Sequence, residues 1–148
     1  MEGNQRIGKV YKKAVFLEYT DQTYINEAPR AGFLGVLGPV LRAEVGDRII
    51  IHFKNKAIKR KYSMHPHGVF YTKAHEGALY MDKTAAKDKK DDGVEPGANY
   101  TYIWEARESH GPTNEDSNCL TWTYHSHVDS AKDTNSGLIG RCILPTHS

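Results

Sequence analysis

The sequence predicts an all-β domain, a sandwich or a barrel, and three observations carry that expectation. Apolar residues alternate at period two in several short runs, Gly, Pro and Asp punctuate those runs, and no stretch holds a helical period beyond a turn or two. The chain of 148 residues is long enough for one domain with a sizeable core, and 39% hydrophobic with 26% charged residues is a globular composition.

The elements follow in order. "VYKKAVFLEY" alternates loosely, with Tyr11, Val15, Leu17 and Tyr19 toward one side. "AEVGDRIIIHFKN" sets a Gly-Asp turn before Ile49, Ile51 and Phe53, which share a face at period two. "NYTYIWEA" follows an "EPG" turn and puts Tyr100, Tyr102 and Trp104 on one face. In "CLTWTYHSHV" one face carries Leu120, Trp122 and Tyr124, and the other Cys119, Thr121, Thr123, His125 and His127. "GLIGRCIL" closes the pattern as a short apolar strand. Two polar stretches, "KNKAIKRK" from Lys54 and "KTAAKDKKDD" from Lys83 to Asp92, read as solvated segments, the second a long surface loop.

Composition sets limits on partners. A formal charge of +2 makes no electrostatic case for nucleic acid or an anionic membrane. No apolar run approaches the roughly 18 residues a transmembrane helix needs. The opening "MEGNQRIGKVYKK" has no apolar region of the signal-peptide kind. Cys119 and Cys142 permit one disulfide without requiring an oxidising compartment, and Asn99-Tyr100-Thr101 matches the N-glycosylation acceptor pattern.

The chemistry concentrates in "MHPHGV" and "YHSHVD", which hold four of the eight histidines as two His-x-His pairs. On a strand, residues i and i+2 point the same way, so His65 with His67, and His125 with His127, each present two imidazoles on one face. Two such strands side by side converge four ring nitrogens, a donor set that suits copper, zinc, iron or nickel. Four histidines without interleaved cysteine or carboxylate do not match a structural zinc motif. Pro66 removes a backbone donor, which fits an edge position, and Gly68 lets the chain turn sharply after the second ligand. His52, His75, His110 and His147 lack partners at ligand spacing and read as structural or exposed. Ser126 lies between two histidines without a Gly-x-Ser-x-Gly elbow, and its side chain points away from both rings, which argues against nucleophilic hydrolysis.

These motifs carry a resemblance. "GFLGVLGPVLRAEVGDRIIIHFKN", "HPHGVFYTKAHEGALYMDKT", "DDGVEPGANYTYIWEA" and "CLTWTYHSHVDSAKDTNSGLIG" resemble a domain of the ceruloplasmin and hephaestin multicopper oxidases, to which the A domains of coagulation factors V and VIII are related. The resemblance runs from about Arg6 to Gly140 and implies a cupredoxin-like Greek-key β-sandwich over residues 1–148. It implies that His65 binds a type 2 copper and that His67, His125 and His127 bind a type 3 pair, half the ligands of a trinuclear cluster. Another cupredoxin domain would supply the remaining copper ligands and the type 1 copper, because this sequence has no His-Cys-His or comparable type 1 motif. Dioxygen and ferrous iron are the implied substrates of the whole enzyme, and an extracellular or cell-surface setting follows from the same relatives.

The resemblance also implies a calcium site built from the Lys73 carbonyl with Glu76, Asp88, Asp91 and Asp92, hard oxygen donors of the kind calcium takes. "GPTNEDSNCLT" and "KDTNSGLIG" look as much like the clotting-factor branch, so the alternative is a non-catalytic, calcium-binding A domain acting as an interaction module. Two edges depart from the family. Only five residues precede Arg6 where relatives carry a further strand, which predicts a domain incomplete at its N-terminal edge. The resemblance makes Cys119 a disulfide partner, but Cys142 comes three residues earlier than the cysteine of relatives, which reverses its face and puts a Cys119–Cys142 bond in doubt.

Overall fold

The computed structural model of the chain describes residues 12–145. Its strands are β1 (Val40–Arg42), β2 (Arg48–Lys54), β3 (His65–Pro66), β4 (Asn99–Glu105), β5 (Cys119–His125) and β6 (Ile139–Pro145), with one helix, α1 (Ser130–Ser136). One sheet has the order β1-β6-β5-β3, and the other pairs β2 with β4. β1 runs parallel to β6, while every other pairing is antiparallel. The all-β expectation holds.

Alternation decides which side chains fill the space between the sheets. Tyr102 and Trp104 of β4 are wholly buried, with Ile49, Ile51 and Phe53 of β2 packed against them. Their neighbour Ile50 points out, as the period of two requires. From the other sheet Tyr124, Cys142 and Leu144 close the core. The buried aromatics also find partners for their polar tips. The Tyr102 hydroxyl donates to the Asp91 carbonyl at 2.7 Å, and Trp104 Nε1 donates to the His75 carbonyl at 2.9 Å. These two bonds tie the long 71–98 connection, which carries most of the polar chemistry, to the centre of the sandwich.

One expectation is corrected. Residues 12–18 form no strand; Phe16, not Leu17, turns inward, held by Phe53 and Tyr124 at ring-centroid distances of 6.1 and 5.4 Å. Tyr11, His147 and the residues before Arg6 lie outside the described residues. The helix α1 has no apolar period to announce it, but it is bracketed by a capping residue and a stop: Asp129 at its N-cap, accepting the Lys132 amide, and Gly137 at its end with φ 123°. The strand register separates the cysteines. β5 and β6 pair Trp122 with Cys142 and Cys119 with Pro145, so the thiols lie three positions apart and on opposite faces of the sheet. Both are free, Cys119 exposed and Cys142 buried, where desolvation pushes the thiol up to about 11.

Candidate metal centre

β3 is two residues long and lies at the edge of its sheet, directly against the end of β5. The register places His65 opposite His125, so the two His-x-His pairs meet where these strands stop. Pro66 occupies the edge position that its missing donor suits. His67 has left the strand, but its amide still donates to the Thr123 carbonyl at 2.8 Å. His127 lies past the end of β5 and is fixed by a bridge to Ala78. The pairs therefore sit at strand ends rather than along strands. Gly68 turns the chain away with φ +68°, and a Cβ there would lie inside the Trp122 ring.

All four rings gather. His65 lies 5.1, 5.6 and 5.0 Å from His67, His125 and His127 by ring centroids, and His125 lies 5.2 and 5.5 Å from His67 and His127. Two anchors determine which nitrogen is free. His65 Nδ1 lies 2.7 Å from the Glu76 carbonyl, and His125 Nδ1 lies 2.9 Å from the Ser126 carbonyl. A carbonyl only accepts, so Nδ1 carries the proton in both rings and Nε2 keeps the lone pair. His67 Nε2 and His125 Nε2 are 3.1 Å apart. Two nitrogens bound to one ion at about 2.0 Å subtend an angle of about 100° at that separation. Burial pushes His65 down to about 4, with the other three histidines adding to the effect. Burial and the nearby His125 also lower His67. Neutral imidazoles at neutral pH are the form that binds a transition metal. Among the described residues no three His, Cys, Asp or Glu side chains converge to hold a single ion, so the chelating unit is the pair.

Tyr71 and Tyr80 border the cluster, 5.7 Å from His65 and 5.5 Å from His127 by ring centroids. The remaining described histidines lie elsewhere: His52 is exposed on β2 beside Thr101, His75 sits in a short 3-10 turn under Tyr100, and His110 lies in another turn beside Ser109. Ser126 is wholly buried and turned away from the imidazoles, its hydroxyl donating to Asp133.

The second polar cluster lies next door. Lys73 Nζ reaches Glu76 at 2.9 Å, Asp82 at 3.1 Å and Asp92 at 3.6 Å. Asp91 accepts the Gly77 amide at 2.9 Å through Oδ2, while its Oδ1 and both Asp92 oxygens are buried without a hydrogen bond. Burial raises the Asp92 carboxyl, and the charge of Asp91 adds to it. Burial opposes the Lys73 charge, yet Glu76, Asp82 and Asp92 outweigh it and hold the ammonium above its usual range. Glu76 and Asp92 therefore meet at the Lys73 ammonium rather than at its carbonyl, with Asp91 beside Asp92. Asp88 does not join them; it is exposed in the 3-10 turn Ala86–Asp88. Asp82 takes the place in the ion network, paired also with Lys89 at 2.9 Å, and only its acid-beside-base setting in "MDKT" could have pointed to it. Asn99 opens β4 and is exposed.

Known proteins share this arrangement of sequence. A human protein named "Ferroxidase HEPHL1" is 61% identical over 142 residues, covering 96% of this chain and 12% of that protein. Rat "Hephaestin" is 53% identical over 141 residues, 95% of this chain and 12% of its own length, and human "Ceruloplasmin" is 48% identical over 142 residues, 96% and 13%. The chain thus spans 12–13% of the length of these relatives. Among solved structures, a multi-copper oxidase from Pseudomonas thermotolerans superposes with a TM-score of 0.56 at 22% identity, over 75% of this chain and 22% of that one. Lac15 from a marine microbial metagenome gives 0.53 at 28% identity, over 75% and 25%. These neighbours make the two-sheet architecture a cupredoxin fold. The family model described as multicopper oxidase matches residues 32–148, a span that takes in all four gathered histidines and both sheets. The chain belongs to the multicopper oxidase family.

Proposed function

We propose that this chain is a cupredoxin-like domain supplying half the ligands of a trinuclear copper cluster in a ferroxidase-type multicopper oxidase. The observation that carries the reading is the gathering of four imidazoles whose anchored members, His65 and His125, keep Nε2 free. The donor set fits copper: neutral nitrogen ligands and no competing thiolate in the cluster. His65 would hold a type 2 ion and His67, His125 and His127 a type 3 pair, with another cupredoxin domain completing each coordination sphere and carrying the type 1 copper. Bound copper would supply one-electron redox chemistry, and a set of such ions suits the four-electron reduction of dioxygen to water with ferrous iron as the reducing substrate.

The chain's own residues bind and orient. The Glu76 and Ser126 carbonyls hold the Nδ1 protons of His65 and His125, so each ring presents one tautomer in one orientation. The burial of His65 excludes water and keeps the ring neutral. The 3.1 Å pair of His67 and His125 is set to share one ion. Beside it, the carboxylate oxygens of Asp91 and Asp92, buried without a hydrogen bond, favour a calcium site that would form with Glu76 and Asp82 once the cation draws them together in place of the Lys73 ammonium. Asn99, exposed at the start of β4, is the proposed glycosylation acceptor in an extracellular or cell-surface setting. Among the described residues no helix is long and apolar enough to cross a membrane.

Copper titration of the wild-type chain and of the His65→Ala/His127→Ala variant tests the reading. Loss of uptake in the variant supports it, and unchanged stoichiometry overturns it. Calcium-dependent stability without any copper uptake would favour the other branch, an interaction module like the A domains of the clotting cofactors.

A further inference from the structure

We propose that a buried hydrogen-bond network of Ser63, Ser126 and Asp133 is the positioning device that fixes three of the four imidazoles, those of His65, His125 and His127, relative to one another, a proposal that rests on the copper reading above. The three side chains are 0%, 0% and 2% exposed. The Ser126 hydroxyl donates to Asp133 Oδ2 at 2.7 Å and accepts the Ser63 amide at 3.2 Å. The Ser63 hydroxyl donates to the Gly77 carbonyl at 2.5 Å and accepts the His127 amide at 3.0 Å. Asp133 Oδ2 also accepts the Asp129 amide at 3.1 Å, which ties in the start of α1.

The placement of these bonds is what gives them a role. Ser63 precedes His65 by two residues, and Ser126 separates His125 from His127. One hydroxyl, that of Ser63, grips both the backbone of His127 and the residue after Glu76, whose carbonyl anchors His65. Through Ser126 the same network reaches the residue whose carbonyl anchors His125. The network never touches Nε2 of any ring, so its members position ligands and do not bind metal. Burying two hydroxyls and a carboxylate costs more than burying alanine and leucine, and a fully bonded polar network repays that by admitting a single arrangement.

Ser63→Ala, Asp133→Ala and Asp133→Asn, made in the full chain, test the assignment by two readouts: imidazole ¹⁵N spectra of the metal-free protein and Cu(II) affinity. Leu144→Ala, a wholly buried core change, serves as the control for lost stability alone. The expected result is that Ser63→Ala and Asp133→Ala shift or broaden the His65, His125 and His127 ring signals, leave His52 and His110 in place, and weaken copper binding at least about tenfold, the size expected when an outer partner of a ligand is lost. Asp133→Asn, whose amide oxygen still accepts, restores both readouts. Leu144→Ala lowers the melting temperature and leaves the ring signals alone. Unmoved ring signals in the network variants, or equal movement in Leu144→Ala, overturn the proposal. Should Ser63→Ala fail to fold, Asp133→Ala decides alone. Should the wild-type chain take up no copper, the copper reading falls, and the ring spectra still judge the network.

Discussion

The imidazole cluster and the carboxylate cluster share one short segment, residues 76–78, and meet the cost of burying polar groups in opposite ways. Glu76 gives its carbonyl to His65, Gly77 gives its amide to Asp91, and Ala78 bridges to His127. Burial favours the neutral form of His65 and His67, and His65 and His125 each direct Nδ1 at a backbone carbonyl. Burial lowers His65 to about 4, so the ring faces no charging penalty at neutral pH. The carboxylates have no such route. Asp92 is buried next to Asp91, and the cation paired with it is the Lys73 ammonium, 3.6 Å away and shared with two other acids, with the Lys89 charge adding a smaller effect. A neutral ring tolerates burial with an unused lone pair, whereas a buried carboxylate calls for a cation. The first arrangement suits a transition metal entering a finished site, and the second a hard cation displacing a resident charge.

If one segment serves both clusters, a change there should injure both. Gly77 has φ +64°, and a Cβ would collide with the Met64 carbonyl. Gly77→Ala is therefore expected to cost at least about 2 kcal/mol in chemical denaturation, and to weaken copper and calcium binding together. Loss of one metal response alone would show that the clusters are independent. Next in size come His67→Ala and His125→Ala, each removing one arm of the 3.1 Å chelate. Each should weaken Cu(II) binding by more than about 100-fold, beyond the loss of an outer partner, and leave calcium's effect on the melting temperature untouched. Asp92→Asn should do the reverse. Calcium at about 100 times its Kd stabilises a single-site protein by about 2.7 kcal/mol, and the variant should lose most of that. Its cation-free form should melt higher than wild type, because one of two adjacent buried carboxylates is gone.

The parts of this picture that were legible in the sequence are the parts set by local period. Tyr100, Tyr102 and Trp104 share a face because alternation is a property of the strand itself, and their burial followed. The two His-x-His pairs announced a cluster by composition alone, and Pro66 its edge position. What the sequence hid depends on contacts between distant residues. Phe16 turns in, rather than Leu17, because Phe53 and Tyr124 wait on that side. Asp82 enters the ion network and Asp88 does not, a choice made by how a long connection folds over Lys73. The doubt about Cys119 and Cys142 was a question of register, which their spacing raised and the β5–β6 pairing answered. The surface loop expected over Lys83–Asp92 holds up to Lys90; Asp91 and Asp92 are 1% exposed, Asp91 bonded to Tyr102 and Gly77.

The smallest expected effect bears on the resident charge itself. Lys73 is partly exposed, so its three ion pairs are screened by solvent and each contributes little alone. Its ammonium nevertheless lies where a cation bound by Glu76, Asp82 and Asp92 would repel it. Lys73→Met keeps the carbonyl and an apolar stem of similar length and removes the ammonium with its hydrogen bond to Glu76. The cation-free protein should melt a few degrees lower, in line with a loss of about 1 kcal/mol for a small domain, since Glu76 and Asp92 then lose their ion pair and Asp82 keeps only Lys89. Calcium should bind the variant more tightly, because it no longer displaces an ammonium, and should recover the lost melting temperature in full. Calorimetric titration against a matched thermal melt measures both. Weaker calcium binding in Lys73→Met would mean that the ammonium orders the carboxylates instead of competing for them. The two clusters would then be alike after all, each organised in advance by groups of the chain itself.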